Sequence, residues 1–313
     1  MICDGMESVK ENRKAGMPMI SFSKYHGCGN SFVIVKEEDL REYAKNGAAE
    51  ASYGDFAVKA CAEHTGAGAD GLIAVREEPE LEMVFFNRDG SRAPMCGNGI
   101  RCFANFCYDE NIRRDRSYPV KTLAGDMIVD VVSFDPFQVK IDMGTPVFFP
   151  GSIGVDSAED DFLGREIEID WKGVEKVNLK VDSFFMGTVH TVVFADDVEK
   201  SFGRKLDEEL MEEAGKLICN HPVFSEKTNV NFVSVKDKNT LKMRTYERGV
   251  GMTLACGTGA CACVVAASRK GLCERSAEVM LPLGSLNIEI RDDGHVYMQG
   301  PSVKIFDGKF VEI

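Results

Sequence analysis

The strongest constraint on the fold of this chain is an internal repeat. The stretch FFNRDGSRAPMCGNGIRCFA (residues 85–104) aligns without a gap on TYERGVGMTLACGTGACACV (residues 245–264). The alignment matches three pairs of polar or reactive residues: Asn87 with Glu247, Arg88 with Arg248, and Cys96 with Cys256. Each copy reads as a strand, a glycine-containing loop, Cys-Gly-x-Gly and the beginning of a helix. Two such units predict two similar halves in a pseudo-twofold arrangement, with both cysteines facing one cleft.

Short apolar runs bounded by turn residues predict strands along most of the chain. They lie at residues 31–35, 71–75, 81–87, 126–132, 138–143, 190–194, 229–235, 241–247, 285–290, 295–300 and 304–313. Helical patterns are fewer and lie near residues 53–63, 99–112, 205–220 and 258–270. Residues 146–180 differ in composition, with proline, glycine and an acidic cluster, and are expected to contain the inter-domain crossing and a surface insertion.

Composition limits the classes of partner. Of the 313 residues, 44% are hydrophobic and 28% are charged, so the chain can bury a substantial core and is long enough for two domains. Its formal net charge is −13. Nucleic acids and anionic membranes attract basic surfaces, so this charge argues against both as partners and favours a small-molecule ligand. No apolar run is long enough to predict a membrane-spanning helix.

The cysteines limit the compartment. There are 11, an odd number, and no two of them form a C-x-x-C pair. This spacing fits neither a disulfide framework nor a zinc ribbon, so no metal site is predicted. Free thiols indicate a reducing compartment, and a cytoplasmic location is expected. Residues 1–18 are polar, lack the apolar stretch of a secretory signal, and are expected to be a tail or a leader upstream of a start at Met19.

The Cys-Gly-x-Gly motifs are suited to acid/base chemistry. The first turn of a helix has backbone N–H groups without partners and carries the positive end of the helix dipole. Such an end stabilises a thiolate and can also hold a carboxylate. Inverting a carbon next to a carboxylate requires a base on one face and an acid on the other. Cys96 and Cys256 can supply that pair, and no cofactor is then required.

A packing role is the alternative. Cysteine is among the most buried residue types, and a single Cys-Gly-x-Gly is more often a feature of helix packing than an active site. Two copies in duplicated contexts favour function. Four further cysteines lie on the predicted helix bodies and are expected to pack in the core: Cys102, Cys107, Cys261 and Cys263.

From about residue 20 to its C-terminus, the chain resembles the diaminopimelate epimerase family. The resemblance rests on SKYHGCGNSFVIV, HTGAGADGL, the two repeat copies, MGTVH and TNVNF. Members interconvert LL- and meso-diaminopimelate without pyridoxal phosphate, on the route to lysine and peptidoglycan. The implied fold is α+β, with two pseudo-symmetric domains that are each a curved mixed β-sheet wrapped around a central α-helix. The implied domains are residues 19–144 with the C-terminal strand 302–313, and residues 145–301. Members are often homodimers.

The resemblance also implies roles for individual residues. It makes Cys96 and Cys256 the acid/base thiols, one ionised and the other protonated before each turnover. His190 and Glu247 match residues that tune the thiols and lie against the substrate. Gly97, Asn98, Gly257 and Thr258 would bind the carboxylate at the reacting end. The remaining implied substrate-binding positions are Asn30, Asn87, Thr188, Asn229 and Arg248, and the guanidinium of Arg248 is suited to the distal carboxylate.

Three positions depart from the family pattern. Ser31 and Thr188 stand where members commonly have Asp and Asn, and Met252 stands where they often have Glu. Thr188 shortens a hydrogen-bonding side chain that would contact the substrate. Three hypotheses therefore remain: an epimerase of diaminopimelate, a racemase of another amino acid, and a redox or metal-responsive thiol protein without turnover.

Overall fold

The computed structural model describes residues 19–44 and 49–311. Residues 1–18 and the last two residues of the segment 302–313 lie outside this part of the chain. The helices are α1 (Glu37–Tyr43), α2 (Ala49–Ala60), α3 (Gly97–Asp109), α4 (Ala195–Phe202), α5 (Glu208–Cys219) and α6 (Gly257–Arg269), with a short 3-10 helix at Pro150–Ile153.

The strands of the first half are β1 (Ile20–Gly27), β2 (Asn30–Lys36), β3 (Gly71–Arg76), β4 (Glu82–Asn87), β5 (Ser117–Thr122), β6 (Gly125–Phe134) and β7 (Phe137–Asp142). Those that follow are β8 (Phe162–Trp171), β9 (Glu175–Phe185), β10 (Val189–Phe194), β11 (Asn229–Asp237), β12 (Thr240–Glu247), β13 (Gly251–Thr253), β14 (Ser276–Leu281), β15 (Gly284–Ile290), β16 (Val296–Pro301) and β17 (Val303–Phe310).

The two halves repeat one order of elements. In the first, β2 runs parallel to β3, β3 and β4 form an antiparallel pair, and β4 is parallel to β5 across α3. In the second, β10, β11, β12 and β14 show the same pairings in the same order, with α6 in the place of α3. Each half then ends in an antiparallel meander. The predicted α+β class and the predicted duplication are confirmed.

The halves are joined by main-chain hydrogen bonds. The last meander strands of each half, β7 and β16, pair with each other, and Ile141 lies opposite Met298. Strand β9 is flanked by β8, whereas its counterpart β1 is flanked by β17 from the far end of the chain. As a result, all the described strands belong to one mixed sheet.

Helices α3 and α6 lie at the centre of the main core. Most of the residues of both helices are buried, and α6 achieves this with small side chains in the sequence GTGACACVVAASR. The four cysteines expected to pack on these helices have no exposed surface, which confirms their structural interpretation. Within the described residues, no helix is long and apolar enough to cross a membrane.

The structure adds local features that the sequence pattern did not indicate. The segment 146–180 is largely the β8–β9 hairpin, and its alternating residues Ile167, Ile169, Val177 and Leu179 are buried in a second core, so it is not simply a surface insertion. Helices α1 and α4 were not predicted. They have 7 and 8 residues, which is about two turns and too short to show a helical period.

Candidate active site

Each repeat cysteine is the N-cap residue of a central helix. Cys96 and Cys256 have extended backbones, with φ/ψ of −137°/122° and −129°/111°, and α3 and α6 start at the next residue. Neither side chain forms a capping hydrogen bond in its own helix. Both sulfurs therefore lie beside the positive end of a helix dipole.

The glycines after the cysteines bring the two helix ends onto one methionine. A Cβ atom at Gly97 would lie 2.8 Å from Cε of Met298, and one at Gly257 would lie 2.9 Å from its Sδ. Any larger residue at either position would displace this side chain, which stands on β16 at the junction of the halves. Glycine at both positions therefore lets the two helix N-termini pack against the same methionine side chain.

Side-chain amides link the cysteine loops. Asn98 Nδ2 donates hydrogen bonds to Asn30 Oδ1 (3.2 Å) and to the carbonyl of Ala255 (3.3 Å), the residue before Cys256. Cys96 Sγ lies 3.8 Å from the same Asn30 oxygen. Residues from β2, α3 and the loop before α6 thus meet in one place, as the repeat predicts.

Burial dominates the protonation of both thiols. The low-dielectric surroundings of each sulfur raise the pKa of Cys96 and, more strongly, that of Cys256. The negative charge of Glu247 raises both further, while backbone N–H groups at each helix start act in the opposite direction. In the ligand-free site both sulfurs are therefore favoured as neutral thiols, and ionisation of one requires added positive charge.

Glu247 is the acidic group nearest this chemistry. It ends β12, is half-buried, and accepts a hydrogen bond of 2.6 Å from Thr253 Oγ1. Burial raises the pKa of its carboxyl group. Its negative charge raises the pKa of both Cys96 and Cys256.

A second group of polar residues lies along β10, β11 and the end of β12. Arg248 donates from its guanidinium to Thr188 Oγ1 (3.0 Å) and from its backbone N–H to Asn229 Oδ1 (3.0 Å). Asn229 in turn lies opposite His190 in the parallel ladder. Four predicted substrate-binding or catalytic residues are thus brought together.

His190 is neutral and fully buried. Burial, with a smaller contribution from the charge of Arg248, lowers the pKa of its imidazole to about 3. Its Nδ1 lies 3.1 Å from Nδ2 of Asn231, whereas its Nε2 has no hydrogen-bond partner among the described residues.

The two remaining predicted residues differ in their relation to the sulfurs. Thr258 Oγ1 lies 3.6 Å from Cys256 Sγ, close enough to stabilise a thiolate. Asn87 donates to Ser91 Oγ (2.9 Å) within its own turn, and no described hydrogen bond joins it to the other predicted residues.

Sequence reasoning missed Arg101, the largest fully buried side chain of the described residues. Its guanidinium donates to the carbonyls of Gly97 (3.0 Å) and Pro301 (3.2 Å) and to Asn98 Oδ1 (3.0 Å), and it forms no ion pair within the described ranges. It is a fixed positive charge beneath the first turn of α3. The available signal was an arginine in the middle of an apolar helix.

No group of three or more His, Cys, Asp or Glu residues suited to hold a metal ion occurs within residues 19–44 and 49–311. The described cysteines all have free thiols.

Sequence comparison finds relatives along almost the whole chain. A family model described as diaminopimelate epimerase matches residues 22–149 and 183–305. The chain is 36% identical to diaminopimelate epimerase of Alkaliphilus metalliredigens, over 93% of this chain and 98% of that protein. It is 39% identical to diaminopimelate epimerase of Methanothermobacter thermautotrophicus, with coverage of 93% and 98%.

Solved structures of more distant proteins share the fold. A hydroxyproline epimerase from Agrobacterium vitis with bound trans-4-hydroxy-L-proline matches with a TM-score of 0.63 at 12% identity, over 93% of this chain and 91% of that one. A phenazine biosynthesis protein of Bacillus anthracis matches with a TM-score of 0.62 at 13% identity, with coverage of 94% and 99%.

Proposed function

The chain belongs to the diaminopimelate epimerase family and is an isomerase, and we propose that it converts LL-diaminopimelate into meso-diaminopimelate with Cys96 and Cys256 as its acid/base pair. The observation that carries the mechanism is the placement of both cysteines at the starts of the two central helices, with their loops joined through Asn98. meso-Diaminopimelate, the product, is a precursor for lysine synthesis.

In the proposed reaction one sulfur takes up a proton and the other releases one. One cysteine, as a thiolate, removes the α-proton and becomes a thiol. The opposite cysteine, as a thiol, delivers its proton to the other face of the same carbon and becomes a thiolate. The stereocentre is inverted, and the sulfurs have exchanged protonation states.

The α-ammonium group of the substrate supplies the positive charge that the ligand-free thiols lack. Its arrival near Glu247 and the sulfurs lowers the free energy of a thiolate in this low-dielectric site. Gly97, Asn98, Gly257 and Thr258, at the two helix starts, hold the α-carboxylate, which gains negative charge as the proton leaves.

The distal end of the substrate is assigned to the second polar group. Arg248 offers a guanidinium for the distal carboxylate, and Thr188 and Asn229 are hydrogen-bonded to this arginine. Asn30, which contacts Cys96 and Asn98, is assigned to the substrate near its reacting end. Asn87 keeps its assignment as a substrate contact, which requires its turn to close on the ligand. His190 acts as a neutral hydrogen-bonding group, because the pKa of its imidazole is about 3.

Deuterium incorporation tests the acid/base assignment. In D2O the wild type should convert LL-diaminopimelate into meso-diaminopimelate that carries deuterium at the inverted α-carbon. Cys96→Ser and Cys256→Ser should each lower this rate on the order of a thousandfold. Cys273→Ser is a matched control. This buried thiol donates a hydrogen bond to the carbonyl of Val264 in α6, and its substitution should leave the rate unchanged. Near-normal turnover in either of the first two variants would refute the mechanism.

A racemase of another amino acid is the second candidate. Thr188 favours it, because its hydroxyl group already accepts a hydrogen bond from Arg248 and presents no amide to the distal end of a substrate. Chiral chromatography of a panel of amino acids separates the two: conversion of a monocarboxylic amino acid at a higher kcat/KM than LL-diaminopimelate would favour the racemase. Because the chain belongs to a family of enzymes, the third hypothesis, a thiol protein without turnover, is excluded.

We also propose that the protein is a homodimer and that it is located in the cytoplasm. We propose two domains, one formed by residues 19–144 with 302–313 and the other by residues 145–301. Among the described strands β17 pairs only with β1, and it exposes Val303, Ile305 and Phe306, which a second copy of the chain would cover. The free thiols support a reducing compartment. Analytical ultracentrifugation should give twice the chain mass, and a monomer at micromolar concentration would contradict the dimer.

A further inference from the structure

Asn231 is a buried residue that lies between the imidazole of His190 and the start of α6. It stands on β11, has no exposed surface, and lies opposite Val192 of the neighbouring strand. A Cβ atom at Gly259 would lie 2.3 Å from Asn231 Oδ1 and 3.2 Å from Cys256 Sγ. The amide is therefore packed between the histidine and the helix that carries the second cysteine.

The orientation of this amide is fixed by its neighbours. Nδ2 donates to the carbonyl of Thr191 at 3.3 Å, and Oδ1 accepts from Thr245 Oγ1 at 3.0 Å. A carbonyl oxygen can only accept a hydrogen bond, so the nitrogen of the amide must face Thr191. Rotating the amide by half a turn would place two acceptors against each other.

The amide then determines which nitrogen of His190 carries the proton. The second N–H of Asn231 Nδ2 points to His190 Nδ1 at 3.1 Å. Only an unprotonated ring nitrogen accepts such a bond, and burial keeps the ring neutral, so the hydrogen must be on Nε2.

The resulting Nε2–H group is a buried donor without a partner in the described residues. Leaving a buried donor unsatisfied is unfavourable, so a ligand atom that accepts a hydrogen bond there is favoured. We propose that Asn231 is a positioning residue that holds His190 in its Nε2–H tautomer, so that the imidazole donates to an acceptor atom of the bound amino acid. The identity of this ligand rests on the proposed function, whereas the tautomer does not.

Nitrogen-15 spectroscopy of histidine-labelled, ligand-free protein tests the tautomer directly. His190 is one of 5 histidines and is assigned by the loss of its signals in His190→Gln. The wild type should show a protonated Nε2 and an unprotonated Nδ1, with no change down to about pH 5. A protonated Nδ1, or a mixture of tautomers, in the wild type would overturn the proposal without any variant.

Two variants separate positioning from general packing. Asn231→Asp replaces the donor by an acceptor of the same shape and should move the proton to Nδ1, raise the pKa of His190, and lower kcat on the order of tenfold or more. Thr245→Val removes the other hydrogen bond of the amide but leaves both Nδ2 bonds, and should keep the Nε2–H tautomer. An unchanged tautomer in Asn231→Asp would contradict the role. If that variant does not fold, Asn231→Ala should give mixed tautomers, and a pure Nε2–H form would contradict it instead.

Addition of LL-diaminopimelate to the Cys96→Ser variant tests the ligand. The Nε2–H proton and nitrogen signals should shift as the new hydrogen bond forms. A ligand that binds without shifting them would overturn this part of the proposal. Absence of epimerase activity together with the Nε2–H tautomer would refute the proposed function and leave the role of Asn231 in fixing the tautomer intact.

Discussion

The buried imidazole of His190 should make the folded protein sensitive to moderate acid. The pKa of this group is about 3 in the folded chain, against an ordinary value of 6.5 that the unfolded chain retains. As the pH falls below 6.5, the unfolded state takes up a proton that the folded state does not accept until the pH approaches 3. The stability due to the neutral ring is therefore complete above about pH 6.5 and is lost progressively as the pH falls towards 3.

The loss has a definite size. Between about pH 7.5 and pH 5, the linkage relation for these two pKa values gives a decrease of about 2 kcal/mol in the free energy of unfolding. Other titrating groups contribute as well, so the measurement must isolate His190. A glutamine at this position has no proton to gain and should remove the decrease due to this residue.

Urea unfolding followed by circular dichroism at both pH values measures the difference. Wild-type protein should lose about 2 kcal/mol more than His190→Gln on acidification. His64→Gln, which changes an exposed histidine, serves as the control and should behave like the wild type. Equal losses in wild type and His190→Gln, within about 0.5 kcal/mol, would show that the ring is not held neutral by burial.

Three further results are expected. Gly259→Ala would place a Cβ atom 2.3 Å from Asn231 Oδ1. Steady-state kinetics should show on the order of tenfold lower kcat, and thermal unfolding should show about 1–3 kcal/mol less stability. A fully active variant would contradict this close approach. Arg101→Met would remove the guanidinium donor from the carbonyls of Gly97 and Pro301 and from the amide oxygen of Asn98. A urea titration should show a loss of about 2–4 kcal/mol, whereas an unchanged midpoint would mean that the guanidinium is dispensable. Mild oxidation should join Cys96 to Cys256 and abolish activity until a reductant is added, and peptide mapping that finds no such crosslink would count against their proximity.

The parts of the fold that could be predicted from sequence are those with local or repeated signals. The apolar period after each Cys-Gly-x-Gly motif predicted α3 and α6 to within two residues of where they begin. The duplication of that motif predicted the similar halves. Helix α4, by contrast, is too short to show a helical period. The segment before the β8–β9 hairpin is acidic and rich in glycine, so the alternation of apolar and polar residues in the hairpin was not recognised.

The parts of the site that could not be predicted depend on contacts between distant elements. Asn231 occupies an inward position of an ordinary strand pattern, and only the register of β10 and β11 brings it to His190. Arg101 reads as one polar residue in a helix, and its burial requires the carbonyl of Pro301 from β16. Residues that position another residue, such as Asn231, have no recognisable motif in a single sequence. The two cysteines could be recognised because they belong to a repeated motif.

The return of β17 to β1 sets an order on folding during synthesis. Strand β1 is among the first described strands to be translated, but its neighbour on this side, with Phe310 stacked on Phe22, is translated only after the entire second half. Until then, one edge of β1 presents unpaired N–H and C=O groups and an uncovered aromatic ring to other chains. The nascent first half therefore cannot reach its final form on the ribosome, and this edge is where a chaperone would be needed and where aggregation would begin.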